Sequence, residues 1–461
     1  MITYEYFNSV FSNINLQAWF TDLFLERFGV KPDLKFKNGQ YIFLFKQGNN
    51  KLGINFTSNG RIELFKKENS DFFIINNDNR KFHQTRNLLP KNGLVLYGIN
   101  SLNWFTENNS DALLTINYDF PAYLFWTLNR IEEYGVKSDD IHDRFQLKNS
   151  HLQFSDLYLR PIVDEWFLYI EVILKNANFS LKDKKFSFSI SHDIDEISRY
   201  HKVPLFRVIP KIMKDIIFNP IRLIKYISNV KFYTENESAN CFNWLMLQSE
   251  KVGVKSKFYF IPSNSSLKFD YRYKLNNHFI EEILKNINQR GHEIGIHYSY
   301  NASIGKFIIN EWMSFKSLCN SLSIKISGGR MHYLRISFLE TLRQLSDSSQ
   351  NYDNTLTFYE KGGFRSGTCF KYKPFDIFNL KTLSIEINPL ILMDDTLLSY
   401  MNIEDSSMSF MYIKKLIDRC FFVGGEFSLL WHNTNLNTEE KRELYIRILA
   451  YCKSLKNSSS T

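Results

Sequence analysis

Apolar and polar positions follow a repeating rhythm in the second part of the chain. From residue 186 onward, short apolar or alternating runs recur, and stretches with helical spacing, such as 243–253 and 279–291, lie between many of them. Six runs have the strand-like pattern: FSFSISHD, SKFYFIPS, HEIGIHYS, IKISGGRMHY, LKTLSIEINPLI and FSLLWHNT. Strands that alternate with helices predict βα units and a parallel sheet, either open or closed as a barrel.

Residues 1–180 have a different pattern. A helical spacing at 4–28 is followed by the short β-like runs QYIFLF, KLGINF, RIELF and GLVLYGI, and helical stretches at 121–135 and 160–177 close the region. This order predicts an N-terminal α+β domain. The lysine-rich stretch 181–185 then predicts a linker, so that 181–461 forms a second domain.

Polar side chains collect where the strand-like runs end. The residues that share this position are Asp193, Asp195, His297, Arg330, His332 and His432. In a barrel of parallel strands, the carboxyl ends of the strands form one rim, and catalytic groups gather there. The pattern therefore predicts one functional site built from distant parts of the sequence.

The pair Asp193 and Asp195 indicates a particular chemistry. Two residues apart on a strand, the side chains face the same way, and facing carboxylates repel unless a cation or a proton lies between them. A divalent cation bound by one carboxylate would leave the other to act as a base. The structural alternative is that Asp195 caps a helix beginning near Glu196.

Composition and charge narrow the class of protein. The 461 residues are enough for two domains, and the net charge of +9 favours either anionic partners or a generally basic surface. The chain has no Arg-rich tail or Cys/His finger, which argues against nucleic acid as a partner. Five cysteines lie far apart without CxxC spacing, as is typical of a reducing compartment. Without a visible signal peptide or a membrane-spanning apolar run, we expect a cytoplasmic protein, either free or at the inner face of the membrane.

Several of the strand-like runs carry the motifs of a known family. SHDID matches a paired-aspartate motif in its spaced form, GHEIGIHYSYN a Gly-His-Glu-Ile-Gly motif, RMHY an Arg-x-Pro-Tyr motif and LWH a Leu-x-His motif. On these residues, 186–434 resembles the polysaccharide deacetylases of carbohydrate esterase family four. RPIVDEW, YDNTLTF, GFRSGTCF and LLWHNT resemble a bacterial branch that has an N-terminal extension and is associated with surface polysaccharide synthesis.

The resemblance implies a fold, a reaction and a set of roles. The fold is α/β, an irregular (β/α)7 barrel with an N-terminal α+β domain. The reaction is metal-dependent removal of an N-acetyl group from a saccharide substrate, lipid-linked forms included. The cofactor is a divalent metal, with zinc as the first candidate, and no organic cofactor is implied. Asp193 would be the general base with Arg330 as its partner, His432 the general acid, and Asp195 and His297 metal ligands.

One position departs from the family pattern. Four residues beyond His297, where a second histidine is expected, this chain has Asn301. His332 lies where the family usually has proline, so the third metal ligand is either Asn301 or His332. The resemblance also implies contacts to the substrate from Tyr333, Asp353, Arg365, Leu430 and Trp431.

These substrate-binding residues have separate implied roles. Tyr333 would offer its backbone N–H to the oxyanion, and Leu430 would line a pocket for the acetyl methyl, assisted by Trp431. Asp353 and Arg365 would orient the general acid or hold the substrate.

A basic helical insertion is predicted at about 202–235. Within it, 202–231 holds seven Lys or Arg residues and a single acidic residue, Asp215, with apolar residues between them at helical spacing. Such a segment either lies on an anionic membrane surface or packs on the barrel with a solvated basic face.

Two further functions are alternatives to deacetylation. A hydrolase on the same barrel would cut another non-peptide C–N bond. The replacement of a histidine by Asn301 also fits a catalytically impaired protein that only binds sugar.

Overall fold

The structure of the chain is a computed structural model. It describes residues 10–37, 40–56, 72–75, 94–97, 105–108, 113–116, 119–197, 205–218, 220–221, 223–224, 241–270, 273, 275, 278–304, 307–403 and 405–459. The strand predicted at 61–65 lies outside the described residues, and so do the start of the first predicted helix and the parts of the basic insertion at 202–204 and 225–235.

In the described part of the N-terminal region, a mostly antiparallel sheet is accompanied by α-helices. Its elements are α1 (Ile14–Phe28), β1 (Asp33–Lys37), β2 (Gln40–Gln47), β3 (Asn50–Phe56), β4 (Phe72–Ile75), β5 (Leu94–Tyr97), β6 (Phe105–Asn108), β7 (Leu113–Ile116), α2 (Phe120–Leu128) and α3 (Ile162–Asn176). Five strands pair in the order β1-β2-β3-β7-β6, in which β3 and β7 alone run parallel. Strands β4 and β5 form a separate antiparallel pair.

Local sequence explains the best-defined of these elements. Helix α1 begins after Asn13, whose side-chain oxygen accepts hydrogen bonds from the first free backbone N–H groups, and it ends at Gly29, which has a positive φ of 73°. Along β2, alternate side chains are buried, among them Phe43. Phe43 stacks on Phe24 of α1 with ring centroids 4.6 Å apart, so the helix covers this face of the sheet.

The second part of the chain alternates strands and helices. In chain order its elements are β8 (Ser187–Ile194), α4 (Leu205–Phe218), α5 (Phe242–Lys251), β9 (Lys257–Phe260), α6 (His278–Gln289), β10 (Glu293–Tyr298), α7 (Ile308–Ser321), β11 (Ile326–Met331), α8 (Phe338–Asp347), β12 (Tyr352–Asp353), β13 (Phe375–Asp376), β14 (Lys381–Thr382), β15 (Glu386–Ile387), β16 (Leu392–Met393), α9 (Ser406–Val423), β17 (Glu426–Leu430) and α10 (Glu439–Ser458). Strands β13 and β14 form an antiparallel pair of their own.

Eight of these strands form one parallel sheet. Their order is β15-β12-β11-β10-β9-β8-β17-β16, and every neighbouring pair is parallel. The fold is therefore mixed α/β with a parallel sheet compatible with a barrel, and it has one strand more than the seven expected. Since all eight strands point the same way, their carboxyl ends lie along one rim, which places the residues that follow them on the same side of the molecule.

Neighbouring strands approach closely in the middle of this sheet. A Cβ atom added at Gly329 of β11 would lie 2.1 Å from the backbone oxygen of Ile296 in β10. Glycine is therefore required at this position, where the strand carries Arg330 and ends just before His332.

The N-terminal region packs directly against the parallel-sheet region. The indole nitrogen of Trp19 donates a hydrogen bond to the Lys373 carbonyl at 2.7 Å, and Arg27 forms a 2.8 Å ion pair with Asp164 of α3 beside Thr368. A single cluster of buried apolar residues runs through both regions. Among the described residues, no helix combines the length and the apolar character needed to span a membrane.

Candidate metal and catalytic site

Four strand ends converge on one group of polar side chains. Asp193 and Asp195 lie at the end of β8, His297 lies in β10, and His332 and His432 follow β11 and β17. The Nε2 atom of His297 is 3.7 Å from an oxygen of Asp193 and 3.5 Å from Oδ1 of Asp195. The structure thus brings together residues that are up to 239 positions apart (193 to 432) in the sequence.

Asp195, His297 and His332 have the geometry of a metal site. Oδ1 of Asp195 lies 3.5 Å from Nε2 of His297 and 3.6 Å from Nε2 of His332. Ligand atoms at about 2.0–2.1 Å from a tetrahedral zinc would be roughly 3.3–3.4 Å apart, which is close to these distances. Oδ1 of Asp195 is also buried and has no hydrogen-bond partner among the described residues. A buried, unsatisfied carboxylate oxygen is costly, so the donor set fits a divalent cation.

The two histidines are held so that Nε2 faces this point. Nδ1 of His297 donates to the backbone carbonyl of Arg330 at 3.1 Å, and Nδ1 of His332 donates to Oδ1 of Asp270 at 3.0 Å. Because both acceptors lack a proton to give, the ring proton lies on Nδ1 and the lone pair on Nε2 of the neutral rings. Partners of this kind orient ligand histidines and raise their basicity.

Asp270 is a positioning residue that the sequence patterns do not reveal. Burial alone would raise its pKa, but the hydrogen bonds from His332 and Ser265 hold that pKa below its ordinary value, so the group is a carboxylate. Its second oxygen accepts from the backbone N–H groups of Ser265 and Ser266. Asp270 lies in a loop after β9, and no spacing in the sequence connects it to His332.

The electrostatics of the ligand group favour a cation. Burial would raise the pKa of Asp195, but the neighbouring His332 and His297 hold it below its ordinary range. For His297, burial lowers the pKa and the carboxylates of Asp193 and Asp195 more than offset this, so the pKa is raised. The group therefore already attracts positive charge, as a proton or as a metal ion.

The two candidates for the third ligand have different surroundings. His332 presents Nε2 to Asp195, whereas Asn301 is tied to Ser265: its backbone N–H donates to the hydroxyl at 2.8 Å and its side-chain amide to the carbonyl at 2.8 Å. The geometry therefore favours His332. The ring of His332 lies 4.9 Å from the ring of His297, on the neighbouring strand end.

Asp193 is held by an arginine and keeps one oxygen facing the site. Arg330 donates to Oδ1 of Asp193 at 2.7 Å, and its other N–H groups bind the Ser191 hydroxyl and Asn354. This is the pairing expected from the sequence. Oδ2 of Asp193 is the atom that faces His297. Asp193 therefore has a fixed orientation and a free side toward the metal ligands.

His432 is oriented by Asp394, which sequence reasoning missed. One oxygen of Asp394 accepts from Nδ1 of His432 at 2.7 Å, and the other accepts from its backbone N–H at 2.8 Å. Burial lowers the pKa of His432, but the carboxylates, Asp394 foremost, raise it well above the usual value. Nε2 of His432 lies 4.0 Å from Asp195. The contact with Asp394 thus favours the imidazolium form of His432, and Nε2 is on the side of Asp195.

Asp394, Asp395 and His432 also cluster closely enough to be considered as metal ligands. The bond from Nδ1 of His432 to Asp394 already accounts for their proximity. A signal for Asp394 was present in the sequence, since NPLILMDD ends an apolar run in two carboxylates as SFSISHDID does.

Three of the predicted substrate-binding residues have contacts of their own in the structure. The fully buried ring of Trp431 packs against Tyr445 of α10 at 5.4 Å, because alternation along the strand turns it away from the side that carries His432. Asp353 is buried against Thr355, which donates both its N–H and its hydroxyl, and burial raises the pKa of Asp353 to about 6. Arg365 pairs with Glu133 at 2.7 Å. The predicted contacts of these three with substrate or with His432 stay predictions.

Leu430 and Tyr333 are close in sequence to residues of the candidate site. Leu430 belongs to a small apolar cluster with Leu334, Tyr359, Leu390 and Met393, and it faces the same side of β17 as His432. Tyr333 directly follows His332 and has a positive φ of 58°. A non-glycine residue in this conformation is strained, and such strain is common at functional sites.

The N-terminal region contributes to this edge of the site. Arg144 lies over the ring of Tyr359, 3.4 Å from its centroid, and donates to the backbone carbonyl of Tyr333. The ring of His142 is 4.4 Å from the ring of Tyr333. These contacts hold the strained turn after His332 from outside the parallel sheet. No sequence pattern predicted this contribution of the N-terminal region.

Parts of the chain are similar to a family model and to a solved structure. A model for a family of unknown function, DUF7033, matches residues 17–179. No curated protein matches the chain. Among solved structures, the chain is similar to a Mycobacterium smegmatis protein provisionally described as a polysaccharide deacetylase, with 13% sequence identity and a TM-score of 0.40 over 60% of this chain and 87% of the other.

Proposed function

We propose that this protein is a metal-dependent hydrolase that removes an N-acetyl group from a saccharide. The observation that carries the proposal is the buried Oδ1 of Asp195, which has no hydrogen bond among the described residues and faces the Nε2 atoms of His297 and His332. Asp193 lies 3.7 Å from His297 and His432 lies 4.0 Å from Asp195, so a candidate base and a candidate acid are both next to this group. The saccharide class rests on the motifs SHDID, GHEIGIH, RMHY and LWH in the sequence.

Each residue has a separate task in this mechanism. A divalent cation held by Asp195, His297 and His332 would supply a Lewis acid that polarises the amide carbonyl and lowers the pKa of water from 15.7 toward about 7. Asp193, held by Arg330, takes the proton of the attacking water through its free oxygen. The backbone N–H of Tyr333 stabilises the oxyanion that forms on the carbonyl.

His432 completes the reaction as the general acid. Asp394 raises its pKa, which favours the protonated form, and His432 donates this proton to the departing amine as the C–N bond breaks. The apolar cluster around Leu430 receives the acetyl methyl. The proposed reaction belongs to surface polysaccharide synthesis, because RPIVDEW and LLWHNT resemble a bacterial branch associated with that process.

Acetate release from defined substrates tests the proposed reaction. Purified protein loaded with zinc is incubated with N-acetylated mono- and oligosaccharides and, in parallel, with small non-sugar amides and cyclic ureides. We expect acetate and a free amine from the sugars only. Turnover of the non-sugar substrates alone would contradict deacetylation. Binding of sugar with no turnover by the metal-loaded protein would favour the sugar-binding alternative.

The identity of the third ligand gives a sharper prediction. His332→Ala is expected to weaken zinc binding at least about 100-fold, because it removes one of three protein ligands. Asn301→Ala should change the zinc affinity less than about threefold, since the side-chain amide of Asn301 donates its hydrogen bond to the Ser265 carbonyl. Isothermal titration calorimetry of the full chain measures both, with the exposed His278→Ala as a control.

The pH dependence of binding adds a check on the same site. The carboxylates of Asp193 and Asp195 raise the pKa of His297, so a proton competes with the metal for its Nε2. We expect zinc affinity to fall as the pH is lowered from about 8 to about 6. In the calorimetry of the two variants, weakened zinc binding by Asn301→Ala and unchanged zinc binding by His332→Ala would instead identify Asn301 as the third ligand.

A further inference from the structure

An amphipathic helix with an uncovered apolar face follows the first strand of the parallel sheet. Helix α4 and the helical residues just beyond it carry seven large apolar side chains that are each more than half exposed: Ile209, Met213, Ile216, Ile217, Phe218, Ile221 and Ile224. Within α4, Ile209, Met213, Ile216 and Ile217 recur at spacings of three and four residues, so these four form a stripe along one side of the helix. Exposed apolar residues are normally scattered singly, and a continuous stripe marks an interaction surface.

The other side of the same helix is attached to the parallel-sheet region. Val208 and Asp215 are buried. Lys211 forms an ion pair with Glu196, its Nζ lying 2.9 Å and 3.0 Å from the two carboxylate oxygens. The helix therefore already has its intramolecular contact, and the apolar stripe is a second face that this contact does not use.

The charge around the stripe identifies the kind of partner. Residues 202–231 carry seven Lys or Arg and one acidic residue, and that residue, Asp215, is buried. Lys214 lies on the helix with its side chain exposed. An apolar stripe flanked by basic residues fits a bilayer with anionic headgroups, because the apolar side chains enter the acyl boundary while the basic ones meet the lipid phosphates.

We propose that the apolar stripe of α4, formed by Ile209, Met213, Ile216 and Ile217, docks this protein on an anionic lipid bilayer. The docking is peripheral: the apolar side chains lie in the plane of the interface and do not cross it. The interaction is expected to depend both on apolar burial and on headgroup charge.

The position of the helix connects the membrane to the candidate site. Glu196, the partner of Lys211, directly follows Asp195, and its backbone carbonyl accepts from the side chain of Asn433, the neighbour of His432. A bilayer bound at 209–224 would thus be attached to two of the strand ends that form the site. This consequence rests on the proposed function: it identifies the substrate as a saccharide carried on a lipid.

Vesicle co-sedimentation of the full chain tests the docking. Vesicles of phosphatidylcholine with 30 mol% phosphatidylglycerol are compared with vesicles of phosphatidylcholine alone. We expect tight pelleting with the anionic vesicles only, and at least about a tenfold loss of affinity in the combined variant Ile209→Ser, Met213→Ser, Ile216→Ser, Ile217→Ser. Lys214→Gln should weaken binding about fivefold. The exposed pair Met408→Ser, Met411→Ser on α9 is the matched control and should pellet like the wild type.

Several results would overturn the proposal. Equal pelleting of the wild type and the four-serine variant would do so, as would a wild type that binds neither vesicle or both equally. Light scattering without vesicles tests whether a second copy of the chain binds this face. A dimeric wild type together with a monomeric serine variant would show that a second copy, and not a bilayer, covers the face. Far-UV circular dichroism confirms that the variants are folded.

Activity separates the docking from the proposed function. With an N-acetylated saccharide attached to lipid in anionic vesicles, we expect the four-serine variant to lose at least tenfold in kcat/KM while its rate on a short soluble saccharide stays unchanged. Absence of turnover on either substrate would count against the hydrolase proposal only, because pelleting measures the docking independently of turnover.

Discussion

Asp193→Asn is expected to lower kcat for acetate release by about 10²–10⁴-fold, with little change in zinc affinity. Asparagine has nearly the same shape and still offers an oxygen to Arg330, which keeps its bonds to Ser191 and Asn354. What is lost is the ability to take a proton from water. The measurement is steady-state acetate release by the zinc-loaded variant, with zinc content checked by elemental analysis.

The matched control for Asp193 is Ser191→Ala. It removes a 2.8 Å hydrogen bond to the same guanidinium but leaves the carboxylate in place. A loss below about tenfold is expected for Ser191→Ala, because the remaining bonds still hold Arg330. If both variants lost activity equally, Arg330 would be the important group and Asp193 would not be the base. A loss of kcat below tenfold in Asp193→Asn would also show that Asp193 is not the base.

His432→Asn is expected to lower kcat for N-acetyl sugars by about 10²–10⁴-fold, because the variant cannot protonate the departing amine. The asparagine amide can still donate to Asp394, so the turn after β17 is retained. An acetate ester of 4-nitrophenol has a leaving group that departs without a proton. For that ester we expect a loss of less than about tenfold, and an equal loss on both substrates would exclude the general-acid role.

The pH profile gives a second readout of the same role. A general acid is active below its pKa and loses activity as the pH rises through that pKa. The carboxylate of Asp394 raises the pKa of His432, so Asp394→Asn should lower it and move the basic limb of the kcat profile to lower pH. The neighbouring Asp395→Asn is the control: its carboxylate is 3.9 Å from Nδ1 and partly exposed, so a smaller displacement is expected.

The ligand arrangement offers a physical account of Asn301. In the sequence, asparagine in place of a histidine is a reason to doubt metal binding. In the structure, His332 provides an imidazole on the adjacent strand end, and Asp270 holds its ring in the tautomer that a ligand needs. The donor count is thus restored without a histidine at position 301. Under the proposed function, asparagine at position 301 would change the place of one ligand and leave three protein donors.

Periodicity predicted the parallel sheet well where strands are long and buried. The runs FSFSISHD, HEIGIHYS and FSLLWHNT contain β8, β10 and β17. The run LKTLSIEINPLI was less informative: its strands are the two-residue segments β14 and β15, and they belong to different sheets. Short segments of this kind are defined by their neighbours in space, since two residues carry no period.

Strand-end position in the sequence also predicted some residues of the candidate site better than others. Strand-end position was enough to select Asp193, Asp195, His297, His332 and His432, because a parallel sheet places all such ends on one rim. For Trp431, Asp353 and Arg365, whose side chains are buried as well, the predicted substrate contacts stay predictions. A motif identifies neighbours along the chain, and the direction of each side chain depends on how that strand end packs.

The sequence alone therefore determined the alternation of strands and helices, the facing pair of carboxylates and the amphipathic basic segment, because each follows from local spacing and side-chain polarity. Only the tertiary structure decided the partners: Asp394 with His432, Asp270 with His332 and Arg144 with Tyr333, which are separated by 38, 62 and 189 positions. A hydrogen bond acts over about 3 Å, and the local pattern around a carboxylate is the same whether its partner is a distant histidine or water. Folding brings these pairs within that distance, and the chemistry proposed for the site depends on it.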